Sequence, residues 1–202
     1  MKKIKIILIA AALLCGASAY AQQDWNASFG YASTAFHGED CSAFLTSHDL
    51  RGVYGGVRRE FYFSALAGLT FEPGLLFYYQ SGRSRTGTSP KYIKMHYLSV
   101  PLDVKYTFGL SGATTGAFFT GPVLNVGVLG NLYEKGKFET NREVADPMHQ
   151  LTRVNLQWNI GLALTVADAV QLRACYAMGI SRLIPERELH NNTLSVGVGL
   201  LF

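Results

Sequence analysis

The sequence predicts an all-β chain that folds as an eight-stranded antiparallel up-and-down transmembrane β-barrel. In segment after segment, apolar residues alternate with small or polar ones, and such alternation places the two kinds on opposite faces of a strand. The connections between these segments alternate between long and short, as they do in barrels of the outer membrane. The final segment continues the alternation and ends on an aromatic residue, Phe202.

The N-terminal residues have the properties of a cleavable export signal. Three lysines lie among the first five residues, an apolar run follows at 6–14, and Ala19-Tyr20-Ala21 supplies the small residues of a cleavage site. We therefore expect residues 1–21 to be removed as a signal peptide and residues 22–202 to form one barrel domain. No later stretch has the roughly 18 consecutive apolar residues that indicate a membrane-spanning helix.

Removal of this segment nearly neutralises the chain. The full sequence has 18 Lys and Arg against 14 Asp and Glu. The three lysines of the predicted signal peptide account for most of the excess, so 15 basic residues would remain against 14 acidic ones. A nucleic-acid partner is excluded on this basis, because a phosphate-binding face needs a clustered excess of positive charge.

The four predicted strands of the N-terminal half differ in clarity. The first puts Trp25 and Phe29 on its apolar face, and the second has only a faint pattern around Val53 and Val57. The third opposes aromatic and aliphatic residues to Thr, Glu and Gly, and the fourth alternates without interruption from Leu98. These strands are predicted at 25–36, 48–59, 69–80 and 98–108.

The four predicted strands of the C-terminal half show the pattern more plainly. The fifth has Phe118 and Leu124 on its apolar face, and the sixth is the cleanest strand of the chain, with Trp158 and Ile160 opposed to Asn and Gln. The seventh alternates over its whole length, and the eighth opposes aliphatic residues to Ser and Gly. These strands are predicted at 118–128, 154–166, 170–180 and 192–202.

The predicted connections alternate in length along the chain. Long ones lie around 38–40 and at 81–90, 131–150 and 182–191, whereas short ones lie at 59–63, 109–113 and 167–168. Outer-membrane barrels have long external loops and short periplasmic turns. We therefore expect both termini to face the periplasm and the lipid bilayer of the outer membrane to surround the strands.

A soluble barrel of eight strands is the main alternative, and the distribution of charge argues against it. A soluble barrel has an apolar interior and an outer face rich in Lys, Glu and Asp. Here the less apolar face is mostly Gly, Ala, Ser, Thr, Asn and Gln, and the charges crowd into the connections. Small residues suit the narrow interior of an eight-stranded barrel.

Four charged residues are exceptions, because they fall on inward-facing positions of the predicted strands. They are Glu72, Asp103, Lys105 and Arg173, all in the periplasmic half of the lumen. Buried charges need partners, so we expect two acids and two bases to form an ion-pair cluster. The cluster could serve as an ion or proton path, but we favour a structural role that fixes the strand register and seals the lumen.

No catalytic, metal-binding or cofactor-binding residue can be nominated from spacing. The five histidines are dispersed, and none pairs with another at the spacing of metal ligands. Some outer-membrane barrels are acyltransferases or lipid A deacylases, but the His-x-Ser pattern of the deacylases does not occur.

The connection at 131–150 contains both acidic and basic residues. It is the best candidate for contact with an extracellular ligand, and the alternative is a solvated loop without a binding role.

Two segments resemble the PorT-like family of outer-membrane β-barrel domains. One is Phe71-Glu72-Pro73-Gly74-Leu75-Leu76-Phe77, and the other runs from Tyr97 to Tyr106 through Leu98-Ser99-Val100-Pro101-Leu102 and Lys105. The resemblance spans the predicted mature chain and implies an outer-membrane barrel, in a family whose founding member is linked to protein secretion. The terminal Phe202 resembles the assembly signal that the barrel-assembly machinery recognises in such proteins.

The sequence indicates a location more clearly than an activity. We expect an integral protein of the outer membrane with a structural or loop-mediated binding role and no catalytic activity. A porin-like pore for small solutes is the first alternative, and a lipid-modifying enzyme of the outer membrane is a more distant one.

Overall fold

A computed structural model describes residues 25–37, 49–63, 66–84, 91–134, 153–182 and 190–202. All regular structure in these ranges is β-strand, arranged in one antiparallel sheet. The strands are β1 (Trp25–His37), β2 (Asp49–Arg59), β3 (Phe61–Tyr62), β4 (Leu69–Ser84), β5 (Lys91–Ser111), β6 (Thr114–Glu134), β7 (Val154–Val166), β8 (Val170–Gly179) and β9 (His190–Leu201).

The sheet closes on itself as the sequence predicts. From β4 to β9 each strand pairs with the next along the chain, β1 pairs with both β2 and β9, and β2 and β3 both pair with β4. The hydrogen-bond ladder breaks at Glu60. β2 and the two-residue β3 therefore form one wall strand, and the barrel has eight wall strands. Closure matters in a membrane, because an unpaired backbone amide in hydrocarbon costs several kcal/mol.

The apolar face of the sheet points outward. Along β7 exposed and buried residues alternate without a break, and Leu162 is 54 % exposed where its neighbour Ala163 is 6 % exposed. The same alternation runs through most of β9. The predicted orientation, with apolar side chains outside and small or polar ones inside, is therefore confirmed.

Several predicted boundaries are wrong at one end of the barrel. β5 and β6 each span 21 residues, and residues 131–134, predicted as loop, pair with β5 up to Lys91. β4 likewise continues to Ser84 into the predicted loop 81–90. Backbone pairing continues here although the apolar alternation has ended, so hydrophobic pattern alone placed the strand ends too early. The remaining residues of the four long connections lie outside the described ranges.

At the opposite end the connections are short, with one prediction confirmed and two corrected. The turn at Ala167–Asp168 lies where it was predicted, and both residues have φ of 53°. The turn predicted at 109–113 shrinks to Gly112–Ala113, because Gly109 pairs with Thr115. The turn predicted at 59–63 is wrong, since Phe61 and Tyr62 continue the wall strand and the chain reverses just before Leu69.

The two ends of the barrel are named by these connections. The turn end carries the short turns, Trp25 and Phe202, and the loop end carries the strand ends next to the long connections. No helix in the described ranges is long and apolar enough to cross a membrane.

Candidate functional site

Six charged side chains meet inside the turn-end half of the barrel. We call this group the lumen network: Arg58, Glu60, Glu72, Asp103, Lys105 and Arg173. Each is at most 5 % exposed. Register places Glu72 directly beside Asp103 on neighbouring strands β4 and β5, whereas Arg173 reaches them from β8 on the far wall. Three cations and three anions balance, as buried charges require.

Arg173 is the centre of the network because it bridges two carboxylates across the lumen. Its Nη1 lies 2.7 Å from Oε1 and 3.1 Å from Oε2 of Glu72, and its Nη2 lies 2.8 Å from Oδ2 of Asp103. Its guanidinium carbon lies 3.5 Å from the ring centroid of Phe119. These charge-assisted hydrogen bonds fix β8 against β4 and β5.

Two further cations surround Glu72. The Lys105 ammonium donates a hydrogen bond to Glu60, and its Nζ lies 3.4 Å from Oε2 of Glu72. Nε of Arg58 lies 3.6 Å from Oε1 of Glu72, and its Nη1 donates a 2.6 Å hydrogen bond to Ser28. Glu72 therefore contacts three positive side chains, which offsets its complete removal from solvent.

Neutral polar side chains extend the network around the lumen. Asn159 donates to both Asp103 oxygens at 3.1 and 3.3 Å. Gln171 lies 3.5 Å from Arg173, accepts a 2.9 Å hydrogen bond from Asn26 and donates one to Thr165 at 3.2 Å. Polar groups on six different wall strands are thus joined in a buried network, in which each satisfied bond raises the cost of removing its neighbours.

The structure brings together all four charged residues that the sequence analysis nominated, and adds Arg58 and Glu60. Both were missed because the second predicted strand has a faint pattern. A signal was present, however: if Val53 and Val57 face outward, then Arg58 and Glu60 must face inward.

Phe202 lies elsewhere, 72 % exposed on the outer surface, and its backbone pairs with Trp25 at 2.9 Å in both directions.

Above the lumen network, toward the loop end, three tyrosines that are register partners on the neighbouring strands β2, β4 and β5 stack along the inner wall. Tyr54 and Tyr78 have ring centroids 5.1 Å apart, and Tyr78 and Tyr97 have centroids 4.7 Å apart with planes inclined by 8°. The Tyr97 side chain interacts with Thr34 and Thr193, whose hydroxyls are joined to each other by a 2.8 Å hydrogen bond. Tyr97 at the end of this tyrosine stack therefore makes a second contact between opposite walls, because β5 lies across the barrel from β1 and β9.

Glycine makes room for the stack. A methyl group on Gly197 would collide with the Tyr54 hydroxyl and with the Phe29 carbonyl, and one on Gly30 would collide with the Tyr54 ring. Close approach of a ring to the wall therefore requires glycine at both positions.

Little open space remains between these two layers. An internal cavity of about 20 Å³ lies among Arg58, Tyr78, Tyr97 and Asn159, which is room for roughly one water molecule. A wider cavity of about 590 Å³ opens at the turn end and is bounded by Glu60 and Lys105. The lumen is thus accessible from the turn end only as far as the lumen network.

No group of three or more His, Cys, Asp and Glu side chains suited to a metal ion occurs within the described ranges. Cys175 lies in the lumen with its thiol donating to Asn159. The predicted absence of a metal, a cofactor and a catalytic residue stays a prediction.

We expect Arg173→Met to destabilise the barrel by about 3–5 kcal/mol, because it leaves Glu72 and Asp103 side by side without their bridging cation. The free energy of unfolding in urea, with the protein in detergent micelles, measures this. A second variant, Arg173→Met with Asp103→Asn, should recover part of the loss because one uncompensated carboxylate is removed. Equal stability of wild type and Arg173→Met would contradict the bridging role.

Several solved structures are similar to this chain. The chain is similar in structure to Ail, the attachment invasion locus protein of Yersinia pestis, with 15 % identity, a TM-score of 0.52, and 90 % of this chain and 99 % of that chain covered. Neisserial surface protein A gives 13 % identity, a TM-score of 0.49, and coverage of 88 % and 97 %. The outer membrane enzyme PagL gives 13 % identity, a TM-score of 0.48, and coverage of 87 % of this chain and 97 % of that chain.

At such identities the likeness to Ail shows the fold alone. No match was found among curated proteins. A family model described as the outer membrane protein beta-barrel domain matches residues 7–202, which is nearly the whole sequence. This match and the closed barrel of eight strands lead to one conclusion: the chain belongs to the family of outer membrane protein beta-barrel domains.

Proposed function

We propose that this protein is a sealed scaffold of the outer membrane that presents its long connections for binding outside the cell, and that it neither conducts solutes nor catalyses a reaction. The observation that supports this most strongly is the pair of layers across the lumen. The lumen network joins β8 to β4 and β5, and Tyr97 of the tyrosine stack reaches from β5 to Thr34 on β1 and Thr193 on β9.

A water-filled path would need both layers to open. Arg173 would have to leave Glu72 and Asp103. This would leave unpaired charges in a barrel interior where every charge is otherwise paired. Tyr97 would also have to move away from Thr34 and Thr193. An eight-stranded barrel has an interior that its own side chains fill, so a sealed lumen is the expected state of this architecture.

The binding role rests on the loop end. Loops on rigid scaffolds commonly carry recognition, and the connection after β6 contains Lys135, Lys137, Glu139 and Arg142. With the long connections outside, both termini would lie in the periplasm, where the barrel-assembly machinery would meet Phe202. This proposal includes membership of the PorT-like family, with its link to protein secretion. It also includes an extracellular ligand that binds to loop 131–150.

Conductance in planar lipid bilayers tests the sealed lumen. We expect the purified full-length protein to insert without steady single-channel currents, under conditions where a general porin conducts. Steady currents of uniform size would instead favour the small-solute pore. A change in the mass of lipid A when the protein is expressed would contradict the absence of catalysis.

Labelling of intact cells tests the orientation. In a Cys41→Ser background we expect Gly136→Cys, in the connection after β6, to react with a membrane-impermeant maleimide. The matched variant Ala169→Cys, in the short turn between β7 and β8, should react only after the outer membrane is permeabilised. The reverse result would place the long connections in the periplasm.

A further inference from the structure

Three neighbouring wall strands each contain a proline. Pro73 lies in β4, Pro101 in β5 and Pro122 in β6. Proline has no backbone N–H, so within a sheet it removes one hydrogen bond between paired strands and is normally confined to edges and bulges. A closed barrel has no edge, and hydrocarbon supplies no replacement donor. These three prolines therefore weaken the wall at the places where they lie.

The pairing of β5 with β6 shows the effect of Pro122. Between these two strands the register skips Leu102 and Asp103 on β5, together with Gly121 and Pro122 on β6. Pro122 lies opposite Leu102 in this gap. The Leu102 carbonyl therefore receives no hydrogen bond from the position that faces it on β6.

The other two prolines interrupt the pairing in the same way. Between β4 and β5 the register skips the position where Gly74 faces Pro101. Pro73 faces Arg59 of the second wall strand, and the pairing stops there and resumes only in β3. The break of the hydrogen-bond ladder at Glu60 is thus explained by the missing N–H of Pro73.

The three gaps lie side by side across the wall. Two of them meet on β4, at the adjacent residues Pro73 and Gly74, and two meet on β5, at Pro101 and Leu102. We call Pro73, Pro101 and Pro122 the proline row. The other five pairings between wall strands run without a gap over their described residues. The loss of hydrogen bonds is therefore concentrated in one row on one side of the barrel.

The proline row lies between the two layers of the lumen. On β4, Glu72 of the lumen network is on its turn-end side and Tyr78 of the tyrosine stack is on its loop-end side. The internal cavity of about 20 Å³ is lined by Leu76, Pro101 and Val123. The row is thus backed in part by empty space, and its inner side chains have room to shift.

We propose that the proline row is a hinge in the wall of the barrel. The loop-end parts of β4, β5 and β6, at 75–84, 91–100 and 123–134, bend about this row relative to the turn end. Hydrogen bonds between strands resist such bending, and the row lacks one in each of three neighbouring pairings. The inference goes beyond the proposed binding role and does not depend on it.

The two sides of the proline row are held across the lumen by contacts of different strength. On the turn-end side, the Arg173 guanidinium binds the carboxylates of Glu72 on β4 and Asp103 on β5. On the loop-end side the contact is made by the neutral Tyr97 side chain, and the register of β5 with β6 shifts beside it, after His96. Charge-assisted hydrogen bonds are the stronger restraint, and a register shift allows a strand to bend. The turn end is therefore the fixed side and the loop end the moving side.

Distances between paired spin labels test the hinge in the full-length protein in lipid nanodiscs. With the native cysteines replaced by serine, Leu129→Cys on β6 and Leu194→Cys on β9 carry the loop-end pair of labels. Phe118→Cys and Leu200→Cys carry the turn-end pair on the same two strands. All four positions are exposed on the outer surface. We expect a broad distance distribution for the loop-end pair and a narrow one for the turn-end pair.

Restoring the missing donors should stiffen the wall. In the double variant Pro101→Val with Pro122→Val, both new residues supply a backbone N–H and favour strand geometry. We expect the loop-end distribution to narrow to the width of the turn-end distribution, which should not change. The matched control is Leu124→Val on β6, which introduces no new donor and should leave both distributions as they are in the wild type.

A measurement on the unsubstituted chain covers the case in which the double variant does not fold. In ¹⁵N relaxation dispersion we expect exchange in microseconds to milliseconds at the amides of Leu76, Ser99 and Val123, beside the proline row, but not at Leu162 and Ala174 on β7 and β8. Absence of exchange at the first three amides would overturn the hinge. A loop-end distribution as narrow as the turn-end one in the wild type, or a broad one that the two valines leave unchanged, would also overturn it.

Discussion

The fold depends on the rule that a polar group removed from water must find a partner within the protein. Outside the barrel, hydrocarbon offers no hydrogen bonds, so the backbone must close into a continuous ladder. Inside, six buried charges must neutralise one another, and Arg173 does most of this by binding Glu72 and Asp103 at once. The same rule therefore determines both the closed wall and the contents of the lumen.

The lumen contents tie distant parts of the sequence together. Glu72 and Arg173 are about a hundred residues apart in the chain, and the Thr34–Thr193 pair joins the first strand to the last. Such contacts form only when the register of the intervening strands is correct. A slip of one residue would turn Arg173 and Glu72 toward lipid, where charge is costly, so the network also selects the correct register.

Much of the fold could be predicted from the sequence, because the outward face of a membrane barrel contacts lipid and is apolar, whereas its inward face is small or polar. Val154–Val166 shows this best, since its predicted and observed bounds coincide. The strand ends near Glu134 and Ser84 were misplaced because pairing outlasts the apolar alternation there. Glu60 was missed because it follows the faint second strand, in residues predicted as a turn. The continuation of the wall strand through Phe61 and Tyr62 is a feature of backbone pairing that residue types do not encode. The pairing of Tyr78 with Tyr97 depends on tilt and stagger between strands, which alternation leaves open.

Hydroxyl-radical footprinting of the unmodified protein in lipid nanodiscs tests the sealed lumen most directly. Tyr54 and Tyr78 are 3 % and 7 % exposed within the stack, whereas Tyr62 is 43 % exposed at the turn end and serves as an internal reference. We predict that Tyr62 is oxidised in the folded protein and that Tyr54 and Tyr78 are oxidised only after unfolding. Oxidation of Tyr54 and Tyr78 at the rate of Tyr62 in the folded barrel would mean that water fills the lumen, and would contradict the account.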